Sequence, residues 1–143
     1  MPYRWPNPDP VVMNRETGDV PKEQPCIGRL TRLGVAAAER DKGLPLLREV
    51  SAIVFGGVRG WHEGDHLANA VARAGLDLAE LERDIEKNLD KYEAIIAENE
   101  AAQKAAEHWG VPLMVYENEP FFGQDRLEAL KWLLEQKGMK RRG

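Results

Sequence analysis

Cysteine is almost absent: Cys26 is the only one in 143 residues. That excludes an intrachain disulfide, a Cys-x-x-Cys redox pair and a four-cysteine zinc site. A reducing cytoplasm is the expected compartment. An excess of basic charge is absent too. Twenty Lys and Arg against twenty-four Asp and Glu leave a net charge of −4. Phosphate affinity comes from clustered Lys and Arg, so no nucleic acid is expected as a partner. No apolar run approaches the ~20 residues of a membrane helix, so no membrane is expected either. Residues 1–10 hold four prolines and no apolar run, which does not fit a secretory signal.

What is present suits one globular domain. The length fits the usual ~100–200 residues. Hydrophobic residues make up 43% and charged residues 31%, an ordinary balance.

The chain divides into three stretches. Residues 1–24 form a Pro-rich extended arm, because Pro2, Pro6, Pro8, Pro10 and Pro21 exclude a helix and break strand ladders. Residues 25–109 read as a helical subdomain. The spacing predicts helices over Pro25–Asp41, Pro45–Phe55 and Asp65–Ala74, punctuated by Gly43, Gly56, Gly57, Gly60 and Gly75. Asp77 with Glu80 is a capping pair that opens a fourth helix. Its stripe of Leu78, Leu81, Ile85 and Leu89 leads into a fifth carrying Tyr92, Ile95 and Ile96, with a break expected near Asn88. From Asp77 to Glu107 ten acids face four bases, a local charge of −6 that reads as a solvated helix face. Residues 110–143 read as a β-hairpin and a helix. Leu113 to Tyr116 is one strand, Glu117 to Glu119 the turn, and Pro120 to Phe122 the start of the second. Asp125 and Glu128 have capping spacing, and Leu127, Leu130, Leu133 and Leu134 form the face expected to be buried. Lys137, Lys140, Arg141 and Arg142 cluster where a helix dipole favours cations.

Several residues invite a chemical reading and have a plainer one. His62 and His66 stand four apart, as two metal ligands on a helix would. Gly64 and a cap at Asp65 put His62 outside that helix, so loop packing around Trp61 is the better account and no metal is expected. His108 suits a helix C-terminus. Cys26 lies near a helix start, where a thiol pKa can fall, but a buried inert thiol is the commoner case.

The richest constellation is Gly110-Val111-Pro112-Leu113-Met114-Val115-Tyr116 followed by Glu119-Pro120-Phe121-Phe122-Gly123-Gln124-Asp125-Arg126. A cis Val111–Pro112 peptide is expected at the mouth of the strand. It would leave the Val111 backbone to pair with an extended ligand. Gly123 would turn Gln124 and Asp125 to a helix N-terminus, where backbone N–H groups favour a carboxylate. Asp125 could accept from an ammonium. A backbone edge, an anion site and a carboxylate in one unit suit a zwitterionic peptide such as glutathione; a plain hairpin, helix and cap would account for the same residues.

Gly110-Val111-Pro112 with Phe121-Phe122-Gly123-Gln124-Asp125-Arg126 resembles the C-terminal part of DsbA-like thioredoxin-fold proteins. The branch it is most similar to is that of 2-hydroxychromene-2-carboxylate isomerases and kappa-class glutathione transferases. The resemblance runs from Pro25 to Gly138. It implies an α/β, partial thioredoxin-like fold dominated by a helical insertion. It implies glutathione as the bound thiol, with Val111 and Pro112 at its cysteinyl backbone and Gln124 and Asp125 at its γ-glutamyl end. Leu113 departs from the family, which often has Thr there. The family's opening strand–helix–strand, which carries the active Ser or Cys, has no counterpart here. The chain is therefore expected to resemble a shortened member without its catalytic residue.

The resulting expectation is a glutathione-linked isomerase or oxidoreductase of the DsbA-like class acting on a small thiol or aromatic substrate. The alternative is a non-catalytic, mostly helical binding or assembly module. A lone hairpin has exposed edges. They are expected to be covered by the Tyr3–Met13 arm or by a second copy of the chain, a homodimer.

Overall fold

The structure is a computed structural model that describes residues 3–108 and 110–140. Met1, Pro2, Trp109, Arg141 and Arg142, which entered the sequence reading, lie outside the described residues. Contacts divide the chain into two compact units, residues 1–96 and 97–143.

The first unit is the arm and the helices. α1 (Pro25–Ala38) starts on Pro25, whose fixed φ and missing N–H suit the first helical position. α2 spans Gly43–Val54, α3 His66–Arg73 and α4 Leu78–Lys87. The Asp77 side chain accepts from the Glu80 amide at 2.7 Å, the cap its spacing predicts. Asn88 ends α4, and α5 (Leu89–Ala105) begins at once. The core is built from Leu33, Ala36 and Ala37 of α1, Leu46 and Val54 of α2, Leu67 and Val71 of α3, and Leu81 of α4. Trp61 and Tyr92 are its largest fully buried side chains.

Two polar devices tie this unit together. Asp84 accepts from Arg40 at 2.8 Å, from the Tyr92 hydroxyl at 2.8 Å and from Asn88 at 2.9 Å. Those bonds hold the Asp84 carboxyl below the usual aspartate range, Arg40 contributing most and Tyr92 next. Burial, more than any partner, raises the Tyr92 hydroxyl. The second device is the arm. The Arg4 amide donates to the Phe55 carbonyl, the Gly60 amide to the Asn7 carbonyl, and the Trp61 indole to the Pro8 carbonyl. Gln24 both accepts from and donates to the Val12 backbone, each at 2.8 Å. Its prolines thus yield an irregular segment strapped to the helices. The arm is engaged within this unit.

The second unit holds a two-stranded antiparallel sheet, β1 (Leu113–Tyr116) and β2 (Glu119–Phe122). Leu113 pairs with Phe122 and Tyr116 with Glu119. The turn is therefore two residues, with Glu117 at φ 51° and Asn118 at φ 67°. Positive φ at both central positions gives the twist that matches a hairpin. A 3₁₀ turn at Gln124–Arg126 leads into α6 (Leu127–Gln136). α6 closes in a Schellman motif, the Met139 amide donating to Leu134 and the Gly138 amide to Glu135. Lys137 at that end pairs with Glu117 at 2.8 Å.

α6 differs from expectation. None of its residues is buried, Leu127 is half exposed, and Trp132 is 63% exposed. Its leucine pattern shows which face an apolar partner would meet, and among the described residues that face lacks full cover. The capping role expected of Asp125 is also not taken: neither the 3₁₀ turn nor α6 has a side-chain cap.

Candidate functional site

The hairpin register places the predicted site residues. With Leu113 opposite Phe122, the residues just before β1 and just after β2 lie side by side. The Gly123 amide donates to the Pro112 carbonyl at 3.0 Å, extending the ladder by one bond. Val111–Pro112 and Gly123-Gln124-Asp125, eleven or more positions apart in sequence, are thereby brought to one end of the hairpin. The Val111–Pro112 peptide is cis, as is Asn7–Pro8 in the arm. Val111 is 79% exposed, and Pro112, Gln124 and Asp125 are also exposed.

Gly123 makes the second half of this geometry. Its φ of 91° and ψ of 156° suit glycine alone, and a Cβ there would stand 2.5 Å from the Asp125 carboxylate. The sharp exit from β2 lets the chain enter the 3₁₀ turn with Gln124 and Asp125 leading. The first turn of α6 follows directly, the Arg126 amide donating to the Gly123 carbonyl and the Leu127 amide to the Gln124 carbonyl.

Two further residues, Gly110 and His108, support this geometry in roles their sequence context did not specify. Gly110 is buried, and a Cβ added there would overlap the Phe122 ring. The close approach of the Gly110 backbone to that ring fixes the entry to Val111. His108 stacks on the same ring at 4.1 Å between centroids, and its Nδ1 accepts from the Gly110 amide at 3.0 Å. That bond places the proton of a neutral imidazole on Nε2. The helix-end reading of His108 changes accordingly. α5 stops at Ala105, Glu107 turns at φ 55°, and His108 serves the hairpin instead. A glycine directly before Val-Pro was the available signal.

Beside Val111 the unit has a depression of about 570 Å³. Ala102 and Ala106 form one wall, and Leu113, Val115 and Asn118 of the hairpin form the other. It runs along β1 and is large enough for a tripeptide-sized ligand on the ~300–1,000 Å³ scale of small-molecule sites.

The remaining candidates do not join this group. Cys26 is the second residue of α1, half-buried, in the other unit. His62 lies in the turn before α3 and His66 is the first residue of α3; the Nε2 of His62 is 3.6 Å from Glu63. Among the described residues no group of three His, Cys, Asp or Glu is placed to hold a metal ion. Trp61 next to them is the buried anchor of the loop.

Compared with known proteins, residues 23–135 match the family model described as DSBA-like thioredoxin domain. That span includes all four predicted site residues and most of the chain. No curated protein and no solved structure matches it.

Proposed function

The chain belongs to the DSBA-like thioredoxin-domain family, and from that premise we propose that it binds glutathione at the hairpin end formed by Val111, Pro112, Gln124 and Asp125. The family places it in the general oxidoreductase and isomerase class. The single observation that carries the reading is the bond from the Gly123 amide to the Pro112 carbonyl, which joins the two motif segments into one surface. The main chain of Val111 serves the cysteinyl unit of the tripeptide, lying along the depression beside β1. Asp125 accepts from the γ-glutamyl ammonium. The Gln124 side-chain amide donates to its α-carboxylate. This division matches a zwitterion with a donor–acceptor pair at one end and a backbone at the centre.

Chemistry at the bound thiol would be that of the isomerase branch. Glutathione adds reversibly to a conjugated small aromatic substrate, a bond rotates, and glutathione leaves. No residue of this chain is assigned as the group that stabilises the thiolate. Dithiol exchange needs a second thiol, and Cys26 stands alone, so the proposal is confined to binding and presentation.

Calorimetric titration with reduced glutathione tests it. Removing a charge-assisted hydrogen bond costs ~1.5–3 kcal/mol, so Asp125→Ala should weaken binding by roughly ten- to a hundredfold. Equal affinity in the variant would overturn the assignment of the site. Absence of binding in the parent chain would overturn the function.

A second reading rests on a specific observation. Val111, Val115, Phe122 and Trp132 are all substantially exposed on this unit, and the sheet has two strands among the described residues. An assembly module that pairs with a second copy of the chain would use that surface. Stability that rises with protein concentration and ignores glutathione would favour it.

A further inference from the structure

The helical unit contains a cavity that the glutathione reading does not use. It lies between α1 and α2 beside Pro10 of the arm and measures about 220 Å³. Its lining includes the buried side chains of Leu33, Leu46 and Val54. Ser51 carries the one polar side chain in that lining, and Phe55 the one aromatic ring. The space is open to solvent on one side, where the lining residue Leu47 is 61% exposed.

The wall also has a gap that packing does not require. Gly34 lies inside α1, where glycine costs ~1 kcal/mol relative to alanine. A Cβ at Gly34 would meet nothing within 4 Å. Gly43, on the opposite wall, differs: a Cβ there would press on Ala38 at 3.2 Å. The missing side chain at Gly34 thus serves the space and not the protein around it.

We propose that this cavity is a binding site for a small uncharged molecule with a single aromatic ring and at most one hydroxyl. An apolar cavity of roughly 150 Å³ takes one benzene, so this one accommodates a ring with one or two substituents. The ring packs on the aliphatic side chains and Phe55. The hydroxyl meets Ser51. A charged ligand is excluded, because no lining residue carries a charge to offset its desolvation.

Toluene and p-cresol are the probes, titrated into the full chain with side-chain methyl resonances as the readout. Saturable one-to-one shifts centred on Leu30, Leu47 and Val50 are expected. p-Cresol should bind several-fold more tightly than toluene, and Ser51→Ala should remove that difference. Gly34→Leu fills the space. It should lower affinity at least tenfold while the melting temperature holds or rises. If the leucine variant does not fold, Gly34→Ala gives the same reading on a smaller scale, a higher melting temperature with weaker binding. Non-saturable shifts, shifts centred elsewhere, or affinity unchanged by filling Gly34 would overturn the site.

Discussion

The two units solve the problem of stability differently. Among the described residues, residues 1–96 hold every buried hydrophobic side chain except Phe121. Residues 97–143 rely on one buried phenylalanine, a four-residue ladder and a stacked imidazole. Yet the motifs that mark the family lie on the second. A two-stranded hairpin is marginal alone in water. The contrast teaches that burial and the family's hairpin motifs are separated along this chain: the well-packed unit holds the core, and the lightly packed one carries the residues proposed to bind glutathione.

Mutation can sharpen that contrast. The largest effect is expected in the helical core. Trp61 is 1% exposed and its indole donates to Pro8. Trp61→Ala removes both the packed ring and the arm's anchor, and should cost about 3–5 kcal/mol, read as a lower urea midpoint by far-ultraviolet circular dichroism. A midpoint within experimental error of the parent would mean that the helices do not depend on this residue.

A smaller effect is expected at the hairpin. Gly110→Ala forces the new methyl against the Phe122 ring, and overpacking of this kind costs about 1–3 kcal/mol. The amide shifts of Gln124 and Asp125 should move while those of α1 and α2 stay in place. Altered α1 and α2 signals with an untouched Gln124 would erase the distinction between the units.

The smallest effect is on pH dependence. Asp84 has a lowered pKa in the folded chain, chiefly from Arg40 and then Tyr92. Its contribution is present above the unfolded aspartate value near 3.8 and is lost as pH falls through the folded value. Tyr92 has the opposite sign. Its raised pKa gives stability that is complete below 10.0 and declines as pH climbs through the folded value. Asp84→Asn should flatten the acid limb of a melting-temperature profile and weaken the alkaline limb as well, because Asp84 is the partner that raises the Tyr92 hydroxyl most after burial. An acid limb of unchanged steepness would remove Asp84 from the account.

Local signals carried much of this fold. The Asp77 cap, the break at Asn88 and the hairpin run were written in neighbouring residues, because caps and turns are satisfied within a few positions. The proposed site residues were singled out by a different route, through the resemblance of the two motifs that carry them. What stayed hidden depends on distant partners. Arg40 meets Asp84 across forty-four positions, and nothing local to either residue announces the other. Gly110 gave no periodic signal, since its role is the approach of a ring twelve residues on. The leucines of α6 illustrate the converse. A 3.6-residue pattern reports an amphipathic helix without reporting whether anything lies against its apolar face.

The hairpin turn has a consequence in ionic strength. Glu117 holds a left-handed conformation that costs a non-glycine residue ~1–2 kcal/mol. The pair it forms with Lys137 ties the turn to the end of α6, and the ammonium holds the Glu117 carboxyl below its usual range. Both partners are about half exposed, so the attraction between them is open to mobile ions. The grip of α6 on the turn is therefore tighter in dilute buffer and slackens as added salt shortens the Debye length from ~10 Å at 0.1 M toward ~3 Å at 1 M.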